Sequence, residues 1–144
     1  MLVRAGMLVG LLIGAAAGQA LAQSCGSLPI EPVIPSPADI KAKAAADAGT
    51  AKHNAFTDIK AWQADLKTYR DCLTSLDGQA KRDMTGLSPQ KDADKLKEIK
   101  ARIADLAHQY DASVDAEERV VNGFHAVQVA YCTRTDVDKS SCPK

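Results

Sequence analysis

Three features of the sequence predict an all-α fold, and together they indicate a long antiparallel two-helix hairpin that resembles a coiled coil. Two long segments carry apolar residues at alternating steps of three and four, which is the spacing of helices packed along one seam. The segment Gly-Leu-Ser-Pro at 86–89 separates them and supplies a C-cap glycine, an N-cap serine and an N1 proline in succession. A proline-rich stretch before the first segment excludes helix there.

The first 22 residues are predicted to be a secretory signal peptide that is cleaved after Ala22. A single basic residue, Arg4, precedes an apolar run, and Ala20-Leu21-Ala22 has the small-x-small pattern of a cleavage site. A transmembrane anchor and a lipid-modified Cys25 are alternatives, but glycines interrupt the apolar run and Gln23 makes a poor lipid-attachment signal. We therefore expect a periplasmic or secreted protein with no integral membrane span after cleavage.

Residues 23–36 are expected to form an extended arm, because prolines recur there at spacings of two and three residues. Apolar residues lie between the prolines, so we expect the arm to pack on the rest of the protein rather than extend into solvent. The polar residues 133–144 show no periodic pattern and are expected to form a tail.

The first long helix is predicted to span about 37–84. Ser36 as N-cap, Pro37 at the first helical position and Asp39 as the capping-box partner mark its start. Gly49 is a weak point where the helix could bend. Its central stripe of core-type residues is Ala55, Ile59, Trp62, Leu66, Tyr69, Leu73, Leu76 and Ala80.

The second long helix is predicted to span about 89–131 and to show the same alternating steps. A turn centred near Gly86 would place Leu66 opposite Leu106 and Trp62 opposite Tyr110. Two polar residues, Ser113 and Glu117, interrupt the stripe. Glu117 would be a candidate general acid or base if burial raised its pKa. The preferred interpretation is that the two residues are polar seam positions that set the register of the helices, or that a local stutter turns Val114 and Val121 inward instead.

All four cysteines, Cys25, Cys72, Cys132 and Cys142, follow the predicted cleavage site and are expected to form disulfides in an oxidising compartment. Pairing Cys132 with Cys142 closes a short local loop. Pairing Cys25 with Cys72 then requires a bend in the first helix or a later start, because the extended arm otherwise falls short. A Cys25–Cys132 pair with an intermolecular Cys72–Cys72 bridge remains an alternative.

Composition argues against several classes of function. The 18 basic residues equal the 18 acidic ones, so no excess charge attracts nucleic acid. No catalytic, cofactor-binding or metal-binding set is expected, because no nucleophile, base and orienting group fall on one face and the three histidines lack the spacing of a helical metal site.

The expected function is therefore that of an exported structural or protein-interaction module of the bacterial envelope without catalytic activity. A chaperone-like protein or a carrier of a small ligand or metal is the alternative. The apolar face of the second helix is wider than one seam covers, which predicts a protein partner or self-association into a four-helix bundle. The expected interaction face consists of Trp62, Tyr69, Tyr110, Val121 and Phe124.

An early cysteine, a proline-rich arm and the segment Tyr69-Arg70-Asp71-Cys72-Leu73 resemble a group of small, uncharacterised secreted proteins of alphaproteobacteria with a Tyr-x-x-Cys-Leu layout. The resemblance covers residues 25–73, whereas the second helix with Cys132 and Cys142 departs from it. It implies a location in the Gram-negative envelope and a Cys25–Cys72 bridge, and it implies no activity.

Overall fold

The computed structural model describes residues 24–142, and the predicted signal peptide at 1–22 therefore lies outside the described residues. Within them the chain is 71% helical and has no strand, which confirms the all-α prediction. There are three helices in this range: α1 (Pro37–Ala42), α2 (Ala45–Asp83) and α3 (Ala93–Cys132). The two long helices, α2 and α3, pack together.

The predicted first helix is divided into α1 and α2, because Lys43 and Ala44 both adopt extended backbone conformations. The Arg134 guanidinium donates hydrogen bonds to the carbonyl oxygens of Ile40 (2.6 Å) and Lys43 (2.9 Å). These bonds satisfy carbonyl groups that the end of α1 leaves without helical partners. The interruption therefore depends on a contact with a distant residue, and it falls before Gly49, which lies inside α2.

The contacts between α2 and α3 show that the two helices are antiparallel, because residues later in α2 contact residues earlier in α3. The rings of Phe56 and Phe124 lie 5.9 Å apart, and the Tyr69 hydroxyl donates to Gln109 Oε1 at 3.0 Å. The register differs from the predicted one by about two helical turns, and α3 begins at Ala93 rather than at 89, which accounts for about one of them. The segment between the helices is therefore longer than the expected tight turn, and Trp62 does not lie opposite Tyr110.

Buried apolar residues form two clusters along the helix pair. The larger includes residues of all three helices, and its members are Ile40, Ala48, Ala55, Ile59, Trp62, Leu66, Ala116, Val120, Phe124, Val127, Ala130 and Tyr131. The smaller lies nearer the α2–α3 connection and contains Tyr69, Leu73, Leu76 and Leu106. Leu28 of the arm packs against both clusters, so the arm contributes to the core.

The proline-rich arm docks on the helices, as its apolar residues predicted. The Trp62 indole donates a hydrogen bond to the Pro29 carbonyl oxygen at 3.2 Å, and Arg119 forms an ion pair with Glu31 at 2.6 Å. The structure joins Cys25 to Cys72, with 5.7 Å between their Cα atoms. The arm is thus held by a covalent bond, a buried indole and a surface ion pair.

The tail folds back on the helix pair as far as Cys142. Cys132 is paired with Cys142, with 5.8 Å between their Cα atoms, so the structure has the pairing that the local-loop argument favoured. Lys52 donates to the Ser141 hydroxyl at 2.8 Å. Between residues 24 and 142, no helix is both long enough and apolar enough to cross a membrane.

The two disulfides are predicted to stabilise the fold unequally. The Cys25–Cys72 bond spans 47 residues and the Cys132–Cys142 bond spans 10. On the chain-entropy estimate, replacing the first pair by serine lowers the free energy of unfolding by about 4 kcal/mol, and replacing the second lowers it by about 3 kcal/mol. Urea unfolding of the two double variants measures both values.

Trp62 fluorescence reports on the arm in the same experiment. Release of the arm removes the hydrogen bond from Trp62 to Pro29 and exposes the indole to water, so the emission of the Cys25→Ser/Cys72→Ser variant should shift to longer wavelength. The Cys132→Ser/Cys142→Ser variant is the control and should keep native emission. Equal emission from both variants would show that the disulfide does not hold the arm in place.

Candidate functional site

The helix pair has two long grooves, and the arm fills only one of them. Ile34 of the arm approaches α3 at Gly123, where an added Cβ would lie 3.5 Å from Ile34 Cδ1. On the other side of the pair, side chains of α2 contact α3 directly: Gln63 reaches Glu117, and the Arg70 guanidinium lies 5.7 Å from the centre of the Tyr110 ring. We call this second side the open groove.

Four side chains at the base of the open groove form a polar clasp, defined here as Gln63, Arg70, Ser113 and Glu117. Arg70 donates to Glu117 Oε2 at 2.6 Å, to Ser113 Oγ at 2.8 Å and to the Ser113 carbonyl oxygen at 2.8 Å. Gln63 donates to the second carboxylate oxygen of Glu117 at 2.9 Å. The fully buried Ser113 hydroxyl donates to the Tyr110 carbonyl oxygen at 2.6 Å.

The clasp keeps Glu117 ionised. Its hydrogen bond with Arg70 holds the pKa of Glu117 below the ordinary value of 4.5, outweighing the opposing effect of burial. The prediction of a pKa raised by burial, which was the condition for a general acid or base at Glu117, is therefore wrong. The geometry agrees with the other interpretation, in which Ser113 and Glu117 are polar seam positions that align α2 with α3.

Apolar side chains line the open groove on the α3 side. Tyr110, Val114 and Val121 are 40%, 43% and 46% exposed. Tyr110 and Val114 lie one helical turn apart, and Val114 and Val121 each lie one turn from Glu117. All three therefore share one face of α3. Exposed lysines at 60 and 67 lie one turn from the clasp residues of α2, and the exposed acidic residues Asp111 and Glu118 lie along the outer edge of α3.

The five residues expected to form one interaction face are divided between two environments. Trp62, Tyr69 and Phe124 are buried in the clusters of the core, whereas Tyr110 and Val121 are exposed on the open groove. A stripe at heptad spacing cannot by itself distinguish a residue inside the pair from one on its outer surface. The four cysteines lie away from the open groove, in the bonds that hold the arm and the tail.

Arg70 is the site residue that the sequence pattern missed. Ser113 and Glu117 indicate that α3 presents polar groups to its partner, and a matching polar residue on α2 should therefore be sought. The predicted register placed other residues of α2 opposite them, because it assumed a tight turn near Gly86. In the observed register Arg70 lies beside both.

Residues 24–142 contain no group of three or more His, Cys, Asp or Glu side chains placed to hold a metal ion. Asp136 and Asp138, whose spacing resembles the opening of a calcium loop, instead bind Arg134 and Ser140 respectively.

No protein-family model, curated protein or solved structure matches the chain.

Acid is predicted to weaken the polar clasp. Because the pKa of Glu117 is lower in the folded state, its contribution to stability is complete above the unfolded value near 4.5 and is lost as pH falls through the folded value. Glu117→Gln should remove this part of the pH dependence while keeping the shape of the side chain. Urea unfolding between pH 3 and about pH 6 measures it.

Glu98→Gln is the control, since Glu98 is an exposed residue of α3 outside the clasp. Its pH dependence should match that of the parent protein. An unchanged slope in Glu117→Gln would contradict the assignment of Glu117 as a stabilising ionised group.

Proposed function

We propose that this protein is an exported, non-catalytic interaction module of the bacterial envelope, a coiled-coil-like helical hairpin that binds a second copy of itself through the open groove. The proposal rests on the difference between the two grooves, of which the arm covers only one. The arm occupies one, while the other presents Tyr110, Val114 and Val121 beside a firmly bonded polar clasp. Association of two such pairs produces a four-helix bundle.

The charges along the open groove favour a second copy as the partner. Lys60 and Lys67 lie on the α2 edge, where Lys67 also pairs with Asp71 one turn along the helix, and Asp111 and Glu118 lie on the α3 edge. A surface that is basic on one side and acidic on the other is complementary to itself when a twofold rotation exchanges its two sides. Such a rotation requires an axis parallel to the helices.

The register of α2 and α3 within one protomer determines which charged residues would pair between two copies. Arg70 lies level with Ser113, and Gln63 lies level with Glu117. A twofold axis parallel to the helices preserves this height, so Lys67 would meet Asp111 of the second copy, and Lys60 would meet Glu118. A twofold axis across the helices would instead bring lysines against lysines, which is unfavourable.

The proposed location rests on the cysteines and on the leader. Two disulfides fit an oxidising compartment. The signal-peptide pattern at 1–22 and the resemblance to secreted alphaproteobacterial proteins support the periplasm or the exterior of a Gram-negative cell as that compartment.

Analytical sedimentation tests the dimer. The chain should sediment as a monomer–dimer equilibrium, and Lys67→Glu should weaken the dimer about tenfold or more by placing like charges together. Combining Lys67→Glu with Asp111→Lys should restore association, because the exchanged charges pair again across both halves of the interface.

Lys97→Glu is the matched control, since it makes the same charge change at an exposed site nearer the start of α3. It should leave association unchanged. A parent protein that stays monomeric at the highest soluble concentration would overturn the proposal, as would equal weakening by Lys67→Glu and Lys97→Glu.

A further inference from the structure

A cleft of about 340 Å³ opens between α2 and α3, beside the folded-back tail. Its size falls within the range of small-molecule sites. The lining residues are Gly49, Lys52, His53, Phe56, Phe124, Gln128, Tyr131 and Ser141. It therefore combines aromatic rings, a lysine and several hydrogen-bonding groups in one concave surface.

Lys52 is the unusual residue of this cleft, because it is a cation with only 9% of its surface exposed. Its ammonium donates to Ser141 Oγ at 2.8 Å and to the Ser141 carbonyl oxygen at 3.3 Å, and it lies 4.3 Å from the centre of the Tyr131 ring. All these partners are neutral. No carboxylate among residues 24–142 forms an ion pair with Lys52.

A buried charge without an opposite charge in contact is costly to a folded protein. Burial lowers the pKa of Lys52, and the more distant Asp138 raises it by a smaller amount. Attachment of the tail does not account for a buried ammonium at Lys52, because the Cys132–Cys142 bond and the contacts of Arg134 already attach the tail. An incoming anion would supply the missing charge.

The walls of the cleft indicate what the rest of that anion should be. Phe56 and Phe124 lie with their ring centres 5.9 Å apart, and Phe56 is 49% exposed at the mouth. Ser141 Oγ accepts from Lys52, so its own hydrogen remains available to donate to a second oxygen. A bound molecule would thus meet two donors at one end and aromatic carbon at the other.

We propose that the cleft binds a small aromatic carboxylate, whose oxygens accept hydrogen bonds from Lys52 and Ser141 and whose ring packs against Phe56 and Phe124. The cleft lies close to one end of the proposed dimer contact, because Phe56 is one helical turn from Lys60. Lys67 and Asp111 lie several helical turns from Lys52, so substitutions at these two residues test the dimer independently of the ligand.

Calorimetric titration of the oxidised protein with 3-phenylpropionate tests the site. We expect saturable binding with one ligand per chain. The alcohol 3-phenylpropanol, which lacks the charge, and acetate, which lacks the ring, should each bind at least about tenfold more weakly, a loss of about 1.4 kcal/mol. Equal binding of the acid and the alcohol would overturn the role of Lys52, and equal binding of acetate would overturn the role of the aromatic walls.

Variants assign the binding to the cleft. Lys52→Met keeps an unbranched apolar side chain and should reduce affinity at least about tenfold, whereas Lys52→Arg keeps the charge and should retain most of it. Lys97→Met, at an exposed lysine of α3 outside both the cleft and the proposed dimer contact, is the control and should bind as the parent does. Full affinity in a folded Lys52→Met protein would disprove the site, as would the absence of 3-phenylpropionate binding to the parent.

If Lys52→Met fails to fold, the comparison of acid with alcohol on the parent protein still decides the role of charge. Lys67→Glu, which targets the dimer contact, should leave 3-phenylpropionate affinity unchanged. A loss of binding in Lys67→Glu would place the ligand at the dimer contact and overturn the cleft assignment.

Discussion

The covalent bond between Cys25 and Cys72 holds an extended segment along one side of two packed helices, and the difference between the two sides of the molecule follows from this attachment. An extended, proline-rich chain forms few hydrogen bonds with itself and needs external contacts to stay in place. Here the disulfide anchors one end, the Trp62 indole binds the backbone at Pro29, and Glu31 meets Arg119. The covered groove becomes core, and the opposite groove remains surface.

A polar clasp inside the opposite groove specifies how the helices align. Leucine, valine and alanine stripes can pack in several registers, because an apolar contact has little directionality. Arg70 and Glu117 have directional bonds that form in only one alignment, and a slip by one turn would leave both charges without partners in a partly buried place. The clasp therefore adds selectivity to a pair of helices whose apolar stripes supply most of the stabilisation.

The candidate sites were only partly predictable from sequence. Tyr110 and Val121 were expected on an interaction face, and both lie on the open groove. Val114 is one of the apolar residues that make the apolar face of α3 too wide for a single seam to cover. Lys52 was not predicted as a site residue, although it lies three positions before Ala55 and so extends the buried stripe of α2. A lysine at such a position is ordinarily a solvated end of the stripe, and its burial depends on a tail residue far away in sequence.

Sequence alone determined the all-helical class, the two long helices and the docking of the arm, because apolar periodicity and proline spacing act locally. It also restricted the cysteines to a few pairings. Tertiary structure decided the division of the first helix and the register of the pair. Arg134 caps α1 from beyond the end of α3, and Arg70 reaches Ser113 and Glu117 across the seam. Such contacts join residues distant in sequence, and no local pattern of residues encodes them.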